Sequence, residues 1–197
     1  FTFFVIKDSR INAFALPGGY IGIHTGLLEA TRSEDELAGV LAHEVAHVTQ
    51  RHIARAIHAS SRQSILSTAI MLGAVLAGAA SGSSDVMQAG MAVAQGTAMQ
   101  QQINFTRSNE HEADRIGISA LAGAGFDPYG MASFFNVLSR QTTRAPNERT
   151  PEFLMTHPVT SSRIAEARDR ARSFEQVKSD NSISYGISKI RTTVDRF

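Results

Sequence analysis

The 197-residue sequence contains no cysteine and no tryptophan. Zero cysteine excludes a disulfide framework, a thiolate metal site and a cysteine nucleophile together. It leaves the compartment open, because a chain without thiols suits an oxidising space and a reducing one alike. Charge is scarce as well: 19% of the residues are Asp, Glu, Lys or Arg, against about a quarter in ordinary soluble domains. The 19 basic and 18 acidic residues leave a net charge of +1, which excludes a groove for nucleic acid or another polyanion as the organising feature. With 43% hydrophobic residues, disorder is excluded for the chain as a whole, and a core can form without staples. No initiator Met and no leader open the sequence. It starts inside the apolar run Phe1-Thr2-Phe3-Phe4-Val5-Ile6, which reads as a mature or trimmed fragment whose targeting signal would lie upstream.

What is present is organised from strands into helices. Phe1–Lys7 and Ile11–Leu16 are β-prone around a turn at Asp8-Ser9-Arg10, Pro17-Gly18-Gly19 breaks the chain, and Tyr20–Ile23 resumes a strand. A short antiparallel sheet is expected. Ser33-Glu34-Asp35-Glu36 is a capping box that opens a helix running to about Ile57. Further helices are expected from a cap at Ser108 or Asn109 to Gly123, from Asp127-Pro128 to Arg140, and from Ser161 to Phe174. Thr142–Pro151 reads as a polar linker, and residues 175–197 read as a tail or the start of a truncated region.

Residues 63–106 differ from the rest. Between Arg62 and Arg107 the single charge is Asp85, and Ser64–Ser84 is a stretch of 21 uncharged residues. That is nominally long enough to span a bilayer. It is rich in Ala, Gly and Ser, however, and is broken by Ser81-Gly82-Ser83-Ser84. Two helices joined by a turn, forming a hairpin that covers or flanks the site, fit it better than a transmembrane span. A surface in peripheral contact with a membrane, or one that catches substrate on a tolerant methionine-bearing groove, is the sharper alternative.

The chemistry lies in His43-Glu44-Val45-Ala46-His47. Positions four apart share a helix face, so two imidazoles can grip one ion while the neighbouring Glu reaches a water on it. A catalytic zinc needs a third protein ligand and an open position. The subclass that finds its third ligand in the same strip, as H-E-x-x-H-x-x-G-x-x-H, is excluded by Gln50 and Ile53 at the required Gly and His. The other arrangement takes a Glu from a later helix, and Glu110, in Asn109-Glu110-His111-Glu112-Ala113-Asp114, can serve. Asp114, four residues on and on the same face, can accept from the outer nitrogen of a ligating histidine.

These motifs resemble the M48 family of zinc metallopeptidases, whose pattern is H-E-x-x-H with a distant E-x-x-x-D. The likeness extends to Asn12–Ile21, His24–Leu28, Asp35–His47, Glu112–Gly117 and the H-P-x-x-x-x-R of His157-Pro158 and Arg163. It covers roughly residues 10 to 170. It is greatest for the soluble periplasmic bacterial branch rather than the multi-spanning ones. The resemblance implies a mostly helical α+β, zincin-like domain over residues 1–174, with an active-site helix and a small sheet. It implies one zinc ion per chain on His43, His47 and Glu110, with Glu44 as general base. His157 then lies beside the metal, either donating to an oxyanion or binding zinc to keep the enzyme latent, and Arg163 anchors its loop.

An extended peptide is expected to pair with a sheet edge at Gly19, Tyr20, Ile21 and Gly22. The function implied is a zinc endopeptidase acting on unfolded or misassembled proteins of the bacterial envelope, with no nucleic-acid partner. The rivals are a latent protease and a metalloprotein scaffold that binds such proteins and seldom cuts. Oligomeric state and cleavage specificity are not written in the sequence.

Overall fold

Three short strands open the chain in the computed structural model, which describes residues 1–144, 150–177 and 180–194. They are β1 (Thr2–Ile6), β2 (Ala13–Leu16) and β3 (Tyr20–His24). Pro17-Gly18-Gly19 closes a hairpin that sets Leu16 opposite Tyr20 and Ala13 opposite Ile23 in antiparallel register. β1 pairs with β3 in parallel, from Thr2 opposite Tyr20 to Ile6 opposite His24. The sheet is therefore mixed, which corrects the wholly antiparallel expectation. The reason lies in residues 7–12. The Asp8 carboxylate accepts from the Arg10 amide at 2.9 Å and turns the chain, but the connection carries it a strand's width sideways, and β3 returns through the gap. The strand order is β1-β3-β2.

Helices α1 (Thr25–Ala30) and α2 (Glu34–Thr49) follow. The capping box forms: Ser33 Oγ accepts from the Glu36 amide at 3.2 Å, and the Glu36 carboxylate reaches back to the Arg32 amide at 2.7 Å. α2 stops eight residues before the expected Ile57, because Arg51 takes a left-handed conformation (φ 53°) and a new helix begins at His52. That helix is α3 (His52–Ser81), and α4 (Ser84–Gly123) follows it. The expected cap at Ser108 or Asn109 does not act, since α4 continues unbroken through both residues.

Then come α5 (Gly130–Arg144), α6 (Glu152–Thr156), α7 (Ser161–Ala171) and α8 (Ile183–Val194). Asp127 holds a turn ahead of α5 by accepting from the Tyr129 amide at 3.0 Å, so α5 starts at Gly130 instead of at Asp127-Pro128. Residues 145–149 of the expected polar linker lie outside the described residues.

The chain forms two compact units. One comprises residues 1–50 and 110–197, the other residues 51–109. In the first, Ile23, Leu27, Val40, Phe134, Leu138 and Phe153 make one buried cluster. Ile118, Met131, Phe135 and Ala167 make a second. A Cβ at Gly117 would come within 2.7 Å of Met131 Cε and 3.1 Å of the His43 amide. The missing side chain is thus what lets the end of α4 close on α2. Residues read as a tail contain α8, whose Tyr185 hydroxyl donates to the Thr31 carbonyl at 3.1 Å. The second unit is a hairpin of α3 and the first part of α4, turned at Gly82 (φ 66°).

Candidate metal centre

α2 delivers His43, Glu44 and His47, α4 delivers Glu110 and Asp114, the turn after α6 delivers His157, and α7 delivers Arg163. One turn of helix separates His43 from His47, so their Nε2 atoms converge to 3.0 Å. Glu110 lies 3.4 Å from each of them, through Oε2 to His43 and Oε1 to His47. His157 closes the group, with Nδ1 3.3 Å from His43 Nε2 and 3.0 Å from Glu110 Oε1. All four donor atoms fall within 4.8 Å of one another.

The donor set fits a metal. A tetrahedral divalent ion with bonds of about 2.0–2.1 Å requires donors separated by roughly 3.3 Å, and the spacings just given bracket that value. Nitrogen and carboxylate donors also match a borderline ion better than a hard one.

The outer contacts explain why the side chains stand still. His43 Nδ1 is 3.0 Å from Asp114 Oδ1, the carboxylate–histidine arrangement that fixes ring orientation. Arg163 grips Asp114 with two bonds of 2.7 Å, from Nε and a terminal nitrogen. It also reaches Glu110 Oε2 at 2.8 Å and donates to the Pro158 carbonyl at 2.8 Å. One guanidinium thereby ties a metal-site carboxylate, its outer neighbour and the His157 loop. Its other face lies on the Phe135 ring, 4.8 Å away. Phe153 lies against His157, their rings 4.8 Å apart.

Burial and these contacts set the protonation. Burial works to lower His43, but the bonds to Asp114 and Glu110 outweigh it and raise its pKa to about 10. Burial lowers His47 to about 4, against the pull of Glu110 and with help from the other two histidines. Burial also drives Glu44 above the ordinary carboxylate range, opposed by His157, His43 and the Ala15 amide of β2. Glu110 is pushed up by burial and pulled down more strongly by His157, His43 and His47, ending far below that range. A buried carboxyl poised upward beside histidines, at 3.5 Å from His157 Nε2, is the pattern of an acid–base group.

A model of peptidase family M48 matches residues 1–171. The chain belongs to peptidase family M48. Relatives include the beta-barrel assembly-enhancing protease of Escherichia coli, 43% identical over 195 residues, which are 98% of this chain and 39% of that protein. The protein of the same name from Yersinia pestis is 43% identical over 97% of this chain and 38% of its own length. The mitochondrial metalloendopeptidase OMA1 of Arabidopsis thaliana is 31% identical over 78% of this chain and 28% of its length. The M48 chain thus spans about two fifths of the bacterial relatives it matches.

The structure brings together every metal-site residue expected of this M48 chain, with Glu44, His157, Asp114 and Arg163 around them. It does not place the expected substrate strand at an edge. β3, which carries Tyr20, Ile21 and Gly22 after the Gly19 turn, is the central strand, with partners on both sides. A Cβ at Gly22 would sit 2.6 Å from Phe14 Cζ, so the glycine makes room for a side chain of the protein itself.

Sequence reasoning missed the aromatic walls, Phe135 and Phe153, whose spacing reads only as core. It also missed β2. There the His24 amide donates to Asn12 at 3.0 Å, so by alternation Ala13 and Ala15 turn their backbone groups away from β3, and the Ala15 amide acts on Glu44.

Proposed function

We propose that this chain is a zinc endopeptidase domain, with His43, His47 and Glu110 holding the ion and Glu44 as general base. The observation that carries the reading is the convergence of those three donors beside a buried carboxyl whose proton affinity is raised. When bound, zinc polarises a peptide carbonyl and acidifies a water. Glu44 takes the proton of the attacking water and passes it to the leaving amine. Asp114 and Arg163 hold His43 and Glu110 in place, and the Phe135 and Phe153 rings limit water around them. An extended substrate pairs with the open edge of β2, next to Glu44, by main-chain bonds that demand little of its sequence.

The bacterial relatives are named for β-barrel assembly. That supports a role in quality control of envelope proteins, with unfolded or misassembled polypeptides as substrates in the periplasm.

A second reading, latency, is favoured by the position of His157. Its Nδ1 stands where a fourth ligand would, 3.0 Å from Glu110 and 3.3 Å from His43, and a closed four-ligand set leaves no open position for water or substrate. In that case His157 must swing away before a substrate carbonyl can enter.

The test is zinc content by mass spectrometry together with cleavage of an unfolded polypeptide. Wild type should carry one zinc per chain, largely lost in Glu110→Ala. Glu44→Gln should keep the zinc and lose about 10²–10⁴-fold in turnover. A zinc-free wild type after reconstitution, or a Glu44→Gln variant that still cuts, overturns the proposal. His157→Ala separates the two roles: faster turnover marks a guard, slower turnover an oxyanion donor.

A further inference from the structure

The unit formed by residues 51–109 is packed inside out. Where α3 and α4 meet, the buried positions are Ala74, Gly78 and Ala94. A Cβ at Gly90 would come within 2.3 Å of Ala74 Cβ, and one at Gly78 within 2.8 Å of Met87 Cβ, so the backbones meet almost directly. The large apolar residues point outward: Ile65, Leu72 and Leu76 are 73%, 59% and 70% exposed. In water the stable arrangement is the reverse, with large side chains in the seam. Small residues inside and bulky aliphatic ones outside is how helices pack when the surrounding solvent is hydrocarbon.

Charge is arranged to match. The charged residues of this unit are Arg51, Arg55, Arg62 and Arg107 towards one end of the hairpin, and Asp85 beside the turn at the other. From Gln63 to Ser81, α3 carries none. At 1.5 Å per residue this stretch is about 28 Å long, close to the roughly 30 Å hydrocarbon thickness of a bilayer. By length and composition α3 is apolar enough to cross one. The outward face of α4 is more polar, with Gln95, Gln100, Gln101 and Gln102 exposed, so α3 is the face that leads. Four exposed arginines at one end of an uncharged apolar face complement anionic headgroups, each adding to attraction at the membrane surface.

We propose that the outward face of α3, centred on Ile65, Leu72 and Leu76, docks into an anionic lipid bilayer, with Arg51, Arg55, Arg62 and Arg107 at the headgroups. This surface is independent of the peptidase reading. It makes a lipid bilayer the partner of residues 51–109, whatever the metal centre does.

The test is flotation of the whole chain with two kinds of vesicle, phosphatidylcholine alone and phosphatidylcholine with one quarter phosphatidylglycerol. The chain should float with the anionic vesicles, less so at high salt. Arg55→Gln with Arg62→Gln should weaken binding roughly fivefold per arginine, and Leu72→Gln with Leu76→Gln should abolish it. Both leucines are exposed, so circular dichroism and zinc content should stay at wild-type values and show that the fold and the metal centre survive. Because the chain has no cysteine, Leu72→Cys accepts a single environment-sensitive fluorophore, whose emission should shift to the blue on anionic vesicles.

Three results overturn the proposal. One is absence of binding to either vesicle, or binding untouched by the leucine changes. Another is a lipid-free dimer that the leucine changes convert to monomer, which makes a second copy the occupant. The third is displacement of the vesicles by a reduced, carboxymethylated polypeptide, which makes unfolded protein the occupant.

Discussion

The two units of this chain treat large apolar side chains in opposite ways. In α5, which backs the metal centre, Met131, Phe134, Phe135 and Leu138 are at most 1% exposed. In α3, Leu72 and Leu76 stand mostly in the open. Charge is inverted in the same sense. Around the metal centre Glu44, Glu110, Asp114 and Arg163 are buried, and mutual bonds among the last three offset their loss of water. The hairpin buries no charged side chain among its described residues. The comparison teaches that burial alone does not identify a core. One unit uses its interior to sharpen electrostatics, and the other leaves its interior nearly featureless and keeps its apolar area on the surface.

The largest expected effect breaks the charged interior. Arg163→Met removes the guanidinium that bridges Glu110 and Asp114 and leaves His43 alone between two buried carboxylates, and in metal-free protein it should cost about 3–5 kcal/mol of unfolding free energy, read from denaturant titration. A loss below about 1 kcal/mol would mean the two carboxylates find other partners. Nearly as large, Phe134→Ala should cost roughly 3–5 kcal/mol, whereas Leu76→Ala in the hairpin should change stability by no more than about 0.5 kcal/mol. Equal costs would erase the distinction between the two units.

The electrostatics of the first unit also set a pH profile for the metal-free protein. His43 has a folded pKa of about 10 against an ordinary 6.5, so its contribution is full below 6.5 and is lost as pH rises towards 10. His47 has a folded pKa of about 4, so between 6.5 and 4 the unfolded chain binds the extra proton and stability falls as pH falls. Thermal unfolding in chelator should therefore peak near pH 6.5. With zinc the alkaline flank should disappear, because His43 gives up its proton to bind, and calorimetry at neutral pH should register that release. A Tm that rises from pH 7 to 9 in chelator would contradict the assigned His43 protonation.

Much of the metal centre is legible in the order of residues alone. Ion binding by a helix demands ligands four apart, and His43 and His47 obey that rule beside an unmistakable cap at Ser33. Glu110 and Asp114 are readable for the same reason. What cannot be read depends on contacts that leave no local mark. A single left-handed arginine at position 51 ends α2 with no Gly or Pro to announce it. Nothing in Tyr20–His24 says that β1 will take its free side, because that pairing is decided by the path of residues 7–12. Nor does the stretch after 175 advertise a helix, since its anchor, Tyr185, finds Thr31 across 154 positions of sequence.

The spacing of the metal-site residues has a consequence for how the chain is held together. His43 and His157 meet across 114 positions and Glu110 and His157 across 47, so one ion shared by His43 and Glu110, with or without His157, closes a long loop of the unfolded chain. Closing a loop of that size by a covalent bridge removes chain entropy worth roughly 4–5 kcal/mol. A chain with no cysteine thus has in its metal centre the counterpart of a cross-link, and stripping a bound ion would loosen the tether between distant stretches of sequence.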